Sequence, residues 1–124
     1  MIKRIELEDL QEFIAISQKE GMAGYDPKAE FYGIFSDDNR IVAYTSILFY
    51  GSNKAKFKNH YTEINNRGKG LFKILFNFSI NEVKKRGVKR VEATCTKMSI
   101  NHYLNNGAKV IKEYKLYKKV EINL

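Results

Sequence analysis

The sequence has no tryptophan, one proline and one cysteine in 124 residues. A lone thiol, Cys95, closes no internal disulfide, which excludes a disulfide scaffold and agrees with a reducing compartment. Near-absence of proline excludes collagen-like and polyproline chains. No apolar run is long enough to span a bilayer, and the N-terminal residues lack the apolar stretch of a secretory leader, so a cytoplasmic protein without a membrane partner is expected. The histidines and the cysteine do not fall at metal-ligand spacing, and no metal site is expected. The length suits one domain, residues 1–124, with a single core.

The second part of the chain is also short of acid. Residues 51–124 carry 17 Lys/Arg against 5 Asp/Glu, a balance of +12, whereas residues 1–50 carry 5 against 9, a balance of −4. A basic half implies an anionic partner: a polyphosphate cofactor, nucleic acid or an acidic protein. A solvated lysine surface is the plainer account of any single lysine, but it does not explain why the basic half coincides with the glycine loop described below.

Weak alternation over 2–5 predicts a first strand. Leu10, Phe13 and Ile14 at helical spacing, with Glu8, Asp9 and Glu12 near its start, predict a helix over 8–20 that Gly21 and Gly24 would end. Residues 31–35 and 40–50 read as strands joined by Asp37-Asp38-Asn39, and Gly51-Ser52-Asn53 turns the chain into a fourth strand over 54–64. Leu71, Phe72, Ile74, Leu75, Phe76, Phe78 and Val83 cover much of the circumference of a helix over 70–86, which predicts a broad buried face and a stop at Gly87. A strand over 88–96, a short helix over 99–106 closed by Gly107, and two strands over 108–122 with a tight turn near 114–116 complete the order. No repeat or linker interrupts it, and an α/β (α+β) fold around a mixed sheet is expected.

At the junction of the fourth strand and the second helix stands Asn65-Asn66-Arg67-Gly68-Lys69-Gly70. A helix start leaves backbone N–H groups unpaired and partly positive, glycine lets that backbone approach a ligand, and Arg67 and Lys69 add full charges. Such a loop is suited to holding phosphate. It is not a Walker A loop, which needs Ser or Thr where Gly70 stands. It is not a dinucleotide fingerprint, whose third glycine would fall at Lys73.

The loop and the order of elements resemble the GCN5-related N-acetyltransferase (GNAT) family, whose acyl-CoA loop is Gln/Arg-x-x-Gly-x-Gly/Ala after the fourth strand. Asn65 stands in place of Gln or Arg, Gly68 and Gly70 take the small positions, and Arg67-Gly68-Lys69-Gly70 matches a common form directly. Tyr103-Leu104-Asn105-Asn106-Gly107-Ala108 is similar to the family's Tyr-x-x-x-Gly-Phe, with Ala108 for Phe. Ile64 stands where proline is common and Thr96 where asparagine is. The resemblance spans nearly the whole chain and implies a mixed, mostly antiparallel sheet of about six to seven strands flanked by helices.

It further implies an N-acetyltransferase that moves an acetyl group from acetyl-CoA to an amine, by direct attack on the thioester without a covalent enzyme intermediate. Asn65 and the amides of Arg67, Gly68, Lys69, Gly70 and Leu71 would hold the CoA pyrophosphate. Backbone groups of Thr62 and Ile64 would pair with pantetheine, and one amide would polarise the thioester carbonyl. Tyr103 would protonate the departing thiolate. Glu63 and His60 are the general-base candidates; alternation sets them on opposite faces, so at most one looks into the cleft. His102 is a third, and a water relay needs none of them.

Other readings stand beside these. Tyr103 is one of eight tyrosines, and a helical tyrosine ordinarily packs. Cys95 reads as a buried strand thiol. A brief segment between the first two strands points to an open cleft and a macromolecular acceptor, such as a protein lysine or nucleic acid. Lys54, Lys56 and Lys58 share one face of a strand, with Phe57 and Tyr61 expected on the other, which keeps open a nucleic-acid-binding or phage-type DNA-modifying protein. A non-catalytic CoA-binding relative also stays open, and the chain fits either a monomer or a homodimer.

Overall fold

Among the described residues, alternation and turn chemistry give seven strands: β1 (Ile2–Ile5), β2 (Glu30–Phe35), β3 (Ile41–Tyr50), β4 (Lys54–Thr62), β5 (Arg90–Cys95), β6 (Lys109–Glu113) and β7 (Lys118–Asn123). Three helices join them: α1 (Gln11–Lys19), α2 (Leu71–Lys85) and α3 (Ile100–Asn105). The structure, a computed structural model, describes residues 2–19, 25–97 and 99–124. Gly21 and Gly24, expected to end the first helix, lie outside them. Among the described residues no helix is long and apolar enough to cross a membrane.

The strands form one sheet in the order β1-β2-β3-β4-β5-β7-β6. Neighbours run antiparallel except β4 and β5, whose parallel pairing needs the crossover that α2 supplies. The expectation of a mixed, mostly antiparallel α/β sheet flanked by helices is met. The fourth strand stops earlier than alternation suggested. After Thr62 the chain enters a 3-10 turn over Ile64–Asn66, where the Asn66 N–H donates to the Glu63 carbonyl at 2.8 Å. Paired asparagines favour such a turn over further extension.

The helices cover opposite faces. On one, Leu10 and Ile14, joined by half-buried Phe13, pack with Ile5, Phe31, Tyr44 and Tyr61. On the other, Phe76 and Val83 of α2 pack with Ile47, Ala55, Phe57 and Val91, and Tyr103 of α3 joins them. Each large apolar side chain buried this way contributes about 1.5–3 kcal/mol. Past the end of α2, Arg86 donates a fork of two 2.7 Å hydrogen bonds to Glu30, tying the helix to β2.

A bulge in β4 changes which side chains share a face. Tyr44 opposes Tyr61 while Ser46 opposes Lys58, so β4 advances three residues where β3 advances two. Asn59 takes up the extra residue in the left-handed region, at φ +52°. Asparagine tolerates that conformation better than most residues. Side-chain parity inverts there. Phe57 therefore lies on Phe76 of α2, while Tyr61 lies against Phe13 of α1. The expectation that Phe57 and Tyr61 share a face is corrected, and both rings are buried. β4 thus offers no exposed aromatic row beside Lys54, Lys56 and Lys58.

Candidate active site

The parallel register of β4 and β5 runs from Lys54↔Arg90 to Phe57↔Ala93 and goes no further, although both strands continue. Beyond that point their edges part. The Glu63 N–H donates to the Val42 carbonyl of β3 at 2.8 Å, so the Thr62 peptide groups turn toward the opposite edge, where β5 has left, while the Ile64 carbonyl accepts the Arg67 N–H at 3.4 Å within the 3-10 turn. The Thr62 carbonyl already accepts one hydrogen bond, from Arg67 Nε at 2.9 Å.

The glycine loop follows at once. Gly68 and Gly70 both sit at φ +79°, and a Cβ built on either would meet nothing within 4 Å, so open space lies in front of this backbone. Gly70 is the N-cap of α2: its carbonyl accepts the Ile74 N–H at 3.2 Å, leaving the amides of the first turn without intrahelical acceptors. Asn65, Arg67 and Lys69 are exposed, and Leu71 is half-buried. The Arg67 guanidinium lies 5.4 Å from the Tyr61 ring, folded back along β4, while Lys69 Nζ lies 3.3 Å from Asn66 Oδ1. A backbone cradle with a cation at its rim fits a pyrophosphate.

On the α2 face of the parted strands, Tyr103, His60 and His102 gather around two phenylalanines. Phe72 stands 4.1 Å from the His60 ring and 4.9 Å from His102, and Phe76 stands 4.5 Å from His102 and 5.1 Å from Tyr103. Loss of water drives the charged forms out of this cluster. Burial pushes the Tyr103 phenol far up, so it stays protonated, and pushes the His60 imidazole down to about 3, so it stays neutral. His102 is lowered for the same reason. Cys95, buried on β5 as expected, is raised to about 11 by burial and is an inert thiol.

Glu63 lies on the other face. It pairs with Arg40 and accepts a 3.0 Å hydrogen bond from Asn66 Nδ2. With Arg40 it lines an open hollow of about 590 Å³ beside α1, together with Arg4, Asp9, Glu12 and Phe13. The expectation that His60 and Glu63 face opposite ways holds, because both come after the bulge. Two residues of the site were not singled out from the sequence. Arg40 is 23 positions from Glu63, a separation with no local signal. Phe72 read as one more core residue of an apolar helix, and only the tertiary fold sets it between β4 and α3.

No protein-family model and no curated protein matches the sequence. Solved structures do match in shape. The ribosomal-protein-S18-alanine N-acetyltransferase of Escherichia coli superposes with a TM-score of 0.83 at 14% identity, covering 99% of this chain and 92% of that one. A GNAT-family acetyltransferase of Staphylococcus aureus gives 0.78 at 18% identity, covering 100% and 99%. N-acetylglutamate synthase of Neisseria gonorrhoeae, solved with coenzyme A and N-acetyl-glutamate, gives 0.78 at 10% identity over all of this chain and 35% of that one. At such identities the likeness is one of fold, and the chain has the fold of the GNAT acetyltransferases.

Proposed function

We propose that this chain, residues 1–124 forming one domain, is an acyl-CoA-dependent N-acyltransferase whose donor substrate is acetyl-CoA. The observation that carries the reading is the open cradle of Gly68 and Gly70 at the start of α2, beside the edge where β4 and β5 part. The amides from Arg67 to Leu71 would hold the pyrophosphate, with the α2 dipole behind them and Lys69 and Asn65 at the rim. The Thr62 peptide groups and the Ile64 N–H would hold the pantetheine amides.

Acetyl-CoA supplies an activated thioester. An amine that enters from the hollow beside α1 gives its lone pair to the carbonyl carbon; the C–N bond forms, the C–S bond breaks, and the sulfur leaves with the electron pair. Tyr103, kept protonated by burial, donates a hydrogen bond to that sulfur and so steadies the departing thiolate without losing its own proton. The amine must shed a proton, and Glu63 is the better placed of the two base candidates. It is a carboxylate facing the hollow, whereas His60, depressed to about 3, takes a proton poorly. Arg40 orients Glu63, and Asp9 and Glu12 add negative charge that favours a cationic acceptor.

The first test is calorimetry with acetyl-CoA on the native chain and on a Gly68→Asp, Gly70→Asp variant shown to be folded. The expected result is micromolar-range binding by the native chain that the variant loses, since two carboxylates in the cradle repel phosphate. A folded native chain that does not bind acetyl-CoA would sink the acyltransferase reading.

A further inference from the structure

We propose that the Phe72 ring is a displaceable plug standing where the pantetheine arm of the donor runs, and that His60 and His102 are the polar groups this arm takes up when the ring leaves. The inference rests on the donor reading above and adds to it a gate and two contacts.

The plug follows from where the ring sits. β4 and β5 stop pairing after Phe57 and Ala93, and a gap between strand edges must be filled. Phe72 is in the first turn of α2, directly after Leu71 of the glycine loop. Its ring reaches His60 on β4 at 4.1 Å, His102 on α3 at 4.9 Å and Tyr103 on α3 at 6.3 Å. It therefore bridges the two walls between the phosphate cradle and Tyr103. A donor held by its pyrophosphate on the loop, with its sulfur beside Tyr103, has to cross this span.

The neighbours show which ring can move. Phe76, one helical turn further on, is buried between Phe57, His102 and Tyr103. Phe72 packs on the rim of the core and is only half-buried, so a change of rotamer can carry its ring toward solvent while Phe76 stays in place.

The histidines supply the second observation. His60 Nε2 and His102 Nε2 are both buried and have no hydrogen-bond partner. A polar atom taken from water and left unmatched is unfavourable, and both of these rings lie against Phe72. An arm made of amide groups provides both N–H donors and carbonyl acceptors, so it satisfies either imidazole tautomer. The His60 ring, neutral by burial, meets such an arm as a hydrogen-bonding group without net charge.

The test compares the native chain with Phe72→Ala and Phe72→Leu by calorimetry, using coenzyme A and, as a probe with the pyrophosphate but no arm, ADP. Coenzyme A affinity should rise about tenfold in Phe72→Ala, the gain expected when the closed ring keeps roughly nine-tenths of the native chain from binding. Phe72→Leu should gain less, and ADP affinity should be the same in all three. If Phe72→Ala fails to fold, the leucine variant decides by the same comparison. In the native chain, coenzyme A should shift the imidazole nitrogen resonances of His60 and His102. Native binding of coenzyme A with no gain in either folded variant overturns the plug and leaves the donor site standing. Binding without any change at the two imidazoles overturns their role as contacts. No binding of coenzyme A by any folded chain removes the donor reading and the plug with it.

Discussion

At His60, loss of water and the neighbouring His102 hold the imidazole neutral down to about pH 3, while in the unfolded chain it titrates near its ordinary 6.5. Between those values the unfolded state binds a proton that the folded state refuses, so stability falls as pH falls. From pH 7 to pH 5 the loss from this one residue is about 2 kcal/mol. His102, also depressed, adds a loss of the same sign. Glu30, whose carboxyl the Arg86 fork holds below its ordinary 4.5, adds its loss only as pH falls through that lower range. Urea denaturation of native and His60→Leu chains at pH 7 and pH 5 checks this. The variant should lose less on acidification, and parallel losses would show that His60 is not the buried titrating group. None of this was legible in the sequence, where His60 is a polar residue on a strand.

Elements depend on where regular structure breaks. The alternation of β4 reads easily from 54 to 64, but a single inserted residue reverses every side chain beyond it, and the only local hint is an asparagine inside a strand. Asn59 at φ +52° sits where glycine is at ease and β-branched residues are not. Both changes remove the 3.2 Å hydrogen bond that Asn59 Oδ1 accepts from Ser46, so by urea denaturation Asn59→Val should cost about 1–2 kcal/mol more than Asn59→Gly. Equal stability of the two variants would mean that the bulge is not held at this residue. The apolar run of α2 predicted its buried face, because a helix that separates a sheet from solvent must carry apolar residues on the sheet side, but overstated its breadth: Ile74 points to solvent. The same run hid Phe72, since a plug and a core residue have the same composition.

Over the whole molecule, Arg67 and Lys69 of the basic second part stand at the cradle, while Lys84 and Lys85 close the far end of α2. The hollow beside α1 carries Asp9, Glu12 and Glu63 together with Arg4 and Arg40. Raising ionic strength from about 0.05 to 0.5 M should weaken coenzyme A binding by roughly three- to tenfold, because salt screens exposed charge pairs beyond a few ångströms. A calorimetric affinity that does not move with salt would assign the lysines to solubility alone. A nucleic-acid role for β4 loses its aromatic component, since Phe57 and Tyr61 are both buried.

Local sequence set the order of elements, the glycine loop and its place before α2, the uneven charge and the turn chemistry. Each of these is written in residues within a few positions of one another, where backbone propensity and helix or strand period act directly. Only the tertiary structure decided that Arg40 pairs with Glu63, that Phe57 and Tyr61 part to opposite faces, and that Phe72 stands between His60 and His102. These depend on sheet register, on the bulge at Asn59 and on the crossover through α2, which bring together side chains that share no local pattern.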